Sequence, residues 1–210
     1  MAGKSQNQIG QDAITLTQED IEKLITDALD GRQYNQMYPA ANSLNVLSIS
    51  RLAWSVEETI QWKMGTLPPF ELTFDVVIGK ATGEYVQNQL EDKGWIAEKQ
   101  VEICLPYEWK DKKLNGIMLM GHMDLYQPES RTVIELKTSR KSSNIGSYAV
   151  RQCAMYAYAM QAEHAFVVKI NDRLNIYELT KGDIEICVRD MTQRAYAVAN
   201  ALNGGYELVH

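Results

Sequence analysis

Three residue types in two neighbouring stretches could do chemistry together: Asp124 in Gly121-His122-Met123-Asp124, then Glu135 and Lys137 in Glu135-Leu136-Lys137. Both stretches lie in apolar segments that read as β-strands. Side chains two apart on a strand share a face, so Glu135 and Lys137 point the same way as Val133, while Ile134 and Leu136 point to the opposite face. If the two strands pair as a hairpin, Asp124 sits beside Glu135. Two carboxylates at that range repel unless a cation lies between them, and ionised groups in a buried strand are costly without partners. Hard oxygen ligands suit Mg²⁺ or Mn²⁺. Asp124 and Glu135 are the expected metal ligands, with Leu136 between Glu135 and Lys137 counted among the metal contacts. Such a metal polarises a phosphate and activates water, and Lys137 orients that water or stabilises developing charge. The chemistry is phosphodiester hydrolysis. The alternative for the triplet alone is an internal Glu–Lys ion pair.

Other residues surround this set. Glu84 is the candidate third ligand, on a helix with Gly79 and Gly83. Each helical glycine costs roughly 1 kcal/mol against alanine, which implies close approach of a backbone or ligand. Gln152 and Tyr156, at i and i+4, share a helix face near Tyr148, Arg151 and Met155, and could hold a phosphate or order the lysine. His122 shares the Asp124 strand face by alternation and could touch the metal's surroundings or nucleic acid. Arg140, Lys141 and Arg151 make the segment after Lys137 basic, placing them as phosphate contacts. Trp54, Trp62, Trp95 and Trp109 could stack bases or pack the core.

The elements that must position these residues read as follows. Thr17 opens a helix with stripe Ile21, Leu24, Ile25 and Ala28, stopping at Gly31; 32–47 is an irregular connection. Ser55 and Glu58 form a capping box for a short helix ending near Gly65. A helix runs from about Val76 to Lys93 and stops at Gly94-Trp95. Strands follow at Ile96–Leu105, Leu114–Tyr126 and Thr132–Thr138, then a helix from Ser147 to about Glu163. Strands Ala165–Ile170 and Leu174–Leu179 precede a last helix, Asp183 to about Asn203. The central order is α-β-β-β-α-β: an α/β (α+β) fold with a mixed sheet flanked by helices and extra helices at both ends.

The chain has 210 residues and a net charge of −6. The length suits one domain, 16–210, behind a flexible arm at 1–15. The acidic balance argues against a protein that coats nucleic acid. No apolar run has membrane-spanning length, and Met1–Asp12 lacks the core of a signal peptide, so a cytoplasmic protein with no membrane partner is expected. Cys104, Cys153 and Cys187 are widely spaced, which suggests buried free thiols and no zinc or iron–sulfur cluster. Neither GxxxxGK[ST] nor GxGxxG occurs, which leaves P-loop nucleotide hydrolysis unsupported.

Gly121–Asp124, Glu135-Leu136-Lys137 and Gln152-Cys153-Ala154-Met155-Tyr156, in this order, resemble the PD-(D/E)xK nuclease superfamily. They are similar to its RecB-type branch, which includes CRISPR-associated exonucleases and has an Asp strand, an ExK strand and a QxxxY helix. Ser48-Ile49-Ser50-Arg51-Leu52 is similar to that branch's N-terminal serine motif. The resemblance covers about residues 48–180 and implies a restriction-endonuclease-like core. Asp124 and Glu135 would be metal ligands, Lys137 the catalytic lysine, and Gln152 and Tyr156 the supporting helix motif. Two departures stand out: the branch's iron–sulfur cysteines are absent, and Gly83-Glu84 stands where it often has a histidine. A helix with glycine, glutamate, leucine and a Gly-aromatic stop is similar to archaeal Holliday-junction resolvases, where the glutamate binds metal and the protein is a homodimer. Both resemblances imply a Mg²⁺- or Mn²⁺-dependent deoxyribonuclease. Its partner would be single-stranded, duplex or branched DNA in recombination, repair or replication, in a setting such as a virus, a plasmid or an archaeal system. The competing expectation is a non-catalytic nucleic-acid or protein-binding module that keeps the fold.

Overall fold

The computed structural model describes residues 43–67, 74–138, 144–171 and 173–204. The expected helix at 17–31, the arm at 1–15, and Arg140 and Lys141 lie outside these. The described elements are β1 (Val46–Ser48), α1 (Ile49–Trp54), α2 (Val56–Lys63), α3 (Phe74–Glu91), β2 (Ile96–Leu105), β3 (Ile117–Gln127), β4 (Thr132–Thr138), α4 (Ser147–Met160), β5 (His164–Ile170), β6 (Leu174–Glu178) and α5 (Lys181–Gly204).

The α-β-β-β-α-β core is α3-β2-β3-β4-α4-β5. All six strands form one mixed sheet in the order β1-β3-β4-β5-β6, with β2 also on β3. β3 pairs antiparallel with β2 along its length. Its other edge is shared. β1 lies parallel to Met118–Met120, and β4 lies antiparallel to Leu125–Gln127. The segment 121–124 falls between the two partners, so the sheet opens there. β4 then runs parallel to β5, which α4 connects to it, and β6 returns antiparallel.

Local chemistry fixes the elements. Ser55 Oγ accepts from the Glu58 N–H at 3.2 Å, capping α2, which ends at Met64 before Gly65 in the left-handed region. α3 stops at Glu91, and Gly94 takes φ +81°, a conformation glycine adopts without a Cβ penalty. Ser48 caps α1 through the Arg51 N–H. α4 buries Ala149 and every residue from Gln152 to Ala157, so it is the central helix of the core. It packs on β2, β4 and β5, and on α1 and α5; α3 packs on β2, β3 and β4.

Several sequence expectations change. The segment before Ser48 is not wholly irregular, because Val46–Ser48 adds a short parallel strand. β3 starts at Ile117, later than Leu114, because Gly116 turns the chain against the Leu105 carbonyl. The long helix stops at Met160 because Gln161 adopts the left-handed conformation. Cys153 is buried, but Cys104 is exposed and Cys187 only half-buried. Close approach holds at Gly79, where a Cβ would collide with Thr138 Oγ1, but not at Gly83, where nothing lies within 4 Å. No described helix is long and apolar enough to cross a membrane.

Candidate active site

The β3–β4 hairpin brings Asp124 and Glu135 together. Leu125 pairs with Ile134 and Tyr126 with Val133, so the next position sets Asp124 opposite Glu135. The ladder stops at that point. The Leu136 N–H, which would otherwise lose its partner, donates to Asp124 Oδ2 at 2.6 Å. Asp124 is thereby fixed at the mouth of the opening between β1 and β4.

Glu135 is fully buried. Its Oε1 accepts from Lys137 Nζ, and its Oε2 has no hydrogen-bond partner. An unpartnered buried carboxylate oxygen costs upward of about 1–3 kcal/mol, so it needs a compensating ligand or proton. Burial, then the neighbouring Asp124 charge, push the Glu135 carboxyl up to about 8, against the pull of Lys137. Burial also raises Asp124 to about 6, opposed by Lys137 and the Leu136 N–H and reinforced by Glu98. For Lys137, burial favours the neutral amine, but Glu135 and Asp124 outweigh it and keep the ammonium above its ordinary value.

α4 supplies the support. Lys137 Nζ also donates to Gln152 Oε1 at 3.2 Å, and Gln152 Nε2 donates to the Tyr156 hydroxyl at 3.1 Å. The Tyr156 hydroxyl sits over Gly121, where a Cβ would lie 2.7 Å from it and 3.2 Å from Ile49 Cβ. Gly121 therefore lets α4 and α1 seat against β3 beside the opening. Lys137 Nζ also lies 6.0 Å from the Tyr148 ring centre, and Tyr148 packs edge-on to Trp54 at 4.7 Å.

Of the remaining expected site residues, Glu84 and Arg151 are engaged away from this pair. Glu84 is exposed and pairs with Lys80 at 3.8 Å. Gln87, buried on the same helix, is the side chain that reaches the sheet: its Nε2 donates to Glu98 Oε1 at 2.8 Å and to the Asp124 carbonyl at 3.2 Å. Arg151 is engaged in packing, donating to Asp190 Oδ2 and to the Ala53 carbonyl, each at 2.8 Å. There it satisfies an open carbonyl at the end of α1, with Arg194 on the same Asp190. His122 is half-buried on β3, opposite Gln100. Trp109 is core, with its indole N–H on the Gly116 carbonyl, whereas Trp54 is exposed.

Among the described residues, no three His, Cys, Asp or Glu side chains are arranged to hold a metal. The donors present are the Asp124–Glu135 pair and, for Leu136, only its backbone carbonyl. The pair fits a hard divalent cation: both donors are oxygens, both carboxyls are raised by burial, and one oxygen is buried without a partner.

The architecture and this hairpin define a restriction-endonuclease-like nuclease fold. The chain is similar to the solved structure of SSO0001, at 17% identity and a TM-score of 0.58, covering 80% of this chain and 86% of that one. It is also similar to a candidate exonuclease from Eubacterium rectale, at 13% identity and a TM-score of 0.54, covering 92% of this chain and 89% of that one. No family model and no curated protein matches the chain.

Proposed function

We propose that this protein is a metal-dependent nuclease that hydrolyses DNA phosphodiester bonds. The observation that carries the reading is the buried, unpartnered Glu135 Oε2 beside Asp124, with Lys137 held next to both. A bound Mg²⁺ or Mn²⁺ would neutralise the two carboxylates and polarise a phosphate oxygen. Asp124 and Glu135, with the Leu136 carbonyl, would hold it. Lys137 keeps its charge in this setting, and Glu135 and Gln152 aim its ammonium group. It would stabilise negative charge developing on the scissile phosphate or orient the attacking water. Tyr156 fixes Gln152 and so fixes the lysine.

Substrate contacts follow from what borders this end of the sheet. Trp54 is exposed beside Tyr148, and an exposed ring at that position suits stacking on a base. Arg140 and Lys141 follow β4 in sequence and, with His122, are the expected phosphate contacts. The exonuclease description of the Eubacterium rectale neighbour supports action at DNA ends. A homodimer would instead suit symmetric cutting of branched DNA.

Labelled single-stranded, duplex and branched DNA incubated with the protein in Mg²⁺, Mn²⁺ or EDTA tests the proposal. Cleavage in metal and none in EDTA is expected. DNA binding without cleavage in either metal would favour a non-catalytic module on the same fold.

A further inference from the structure

A third carboxylate, on β2, stands level with the Asp124–Glu135 pair without being arranged to ligate a metal with them. Glu98 lies on β2 between Ala97, paired with Leu125, and Lys99, paired with Met123; the ladder skips the Glu98–Asp124 position. Continued across the hairpin, the same level reaches Glu135. Three carboxylates therefore stand in a row on three adjacent strands, Glu98 on β2, Asp124 on β3 and Glu135 on β4. Like charges placed directly opposite on neighbouring strands are destabilising.

Two features hold this arrangement. Glu98 has φ +49°, a left-handed conformation uncommon for a residue with a side chain. Gln87 reaches down from α3 to bind the Glu98 carboxylate and, with the same nitrogen, the Asp124 carbonyl. Strand alternation breaks at the same place: Met123 and Tyr126, three residues apart, both pack into the main core. An independent sign of a ligand lies at the far end of the row, where Glu135 Oε2 is buried with no partner.

We propose that Glu98 is an outer-sphere anchor of the divalent-cation site, accepting hydrogen bonds from the water shell of the cation that Asp124 and Glu135 hold. It is a positioning residue, set by Gln87, and acts through the cation's water rather than as the direct third ligand the sequence suggested at Glu84. The inference rests on the metal-dependent reading above.

Calorimetric titration of Mn²⁺ into the metal-free protein tests it, alongside thermal unfolding in EDTA. Glu98→Gln keeps an acceptor for Gln87 but removes the charge. It should weaken Mn²⁺ about tenfold without lowering Tm. Glu98→Gly should weaken Mn²⁺ similarly, with the relief of the left-handed backbone offsetting the lost Gln87 contact so that Tm changes little. Glu102→Gln, exposed on β2 like Glu98 but level with Met120 rather than Asp124, should leave Mn²⁺ affinity unchanged. Unchanged affinity in Glu98→Gln with normal binding by the wild type would overturn the Glu98 role and leave the Asp124–Glu135 site standing. So would an affinity loss that tracks a fall in Tm. Failure of the wild type to bind Mn²⁺ would overturn both.

Discussion

Replacing Glu135 with glutamine should stabilise the metal-free protein, although it removes the ion pair between this fully buried carboxylate and the part-exposed Lys137. The carboxyl is raised from 4.5 to about 8, chiefly by burial and then by Asp124. The folded state therefore holds this proton to higher pH than the unfolded chain does. The sign follows: stability is undiminished below about pH 4.5, falls as pH rises toward 8, and then levels off. Asp124, raised to about 6, adds a loss in the same direction over the lower part of that window. At 1.36 kcal/mol per tenfold change, the Glu135 displacement corresponds to about 5 kcal/mol withheld from folding at high pH. The pull of Lys137 is already contained in that displacement, and Asp124 remains beside the lysine. Relaxation around the buried charge tempers the figure, so Glu135→Gln should add about 2–4 kcal/mol at pH 8.5. That is about 4–16 °C in Tm for a chain of this size. At pH 5 the wild-type carboxyl is largely protonated and nearly matches the amide, so the difference should shrink toward zero. Urea denaturation in EDTA at pH 5, 7 and 8.5 measures this directly. A destabilised Glu135→Gln protein at pH 8.5, or a difference that does not change with pH, would refute the reasoning.

Gly121→Ala should cost about 1–3 kcal/mol, because its Cβ would press on the Tyr156 hydroxyl and Ile49; thermal unfolding reads the loss. Arg151→Ala should destabilise by about 1.5–3 kcal/mol through the lost Asp190 and Ala53 bonds, while leaving the salt dependence of DNA binding unchanged in a fluorescence titration. Trp54→Ala should weaken DNA binding by about 1–3 kcal/mol with little change in Tm, since the ring is exposed. Gln152→Ala should lower the cleavage rate more than it weakens DNA binding, because it loosens Lys137 without touching the carboxylates; steady-state kinetics separate the two effects.

The hairpin was legible in the sequence because period-two alternation sets strand faces, and its register puts Asp124 level with Glu135. The Gln152–Tyr156 face was legible for the matching helical reason, their i, i+4 spacing. Turn chemistry marked the stops at Gly65 and Gly94. What escaped depended on distant partners or on backbone state. β1 has three residues, too few to show a period. Arg151 read as a free basic residue because its partners, Ala53 and Asp190, lie on α1 and α5, far away in sequence. Glu98, Gln100 and Glu102 alternate along β2 like a solvent face, and nothing in that pattern signals the left-handed turn at Glu98 or the reach of Gln87. Glu84 looked better placed, yet its neighbour face on α3 is the one that meets the sheet, leaving Glu84 to Lys80.

The most direct test of the central claim is the single-turnover cleavage rate of end-labelled DNA in Mn²⁺, for the wild type against Lys137→Ala. The account predicts metal-dependent cleavage by the wild type and a fall of at least about 10²–10³-fold in the variant, with its fold retained by circular dichroism. Equal rates in the two proteins would contradict it.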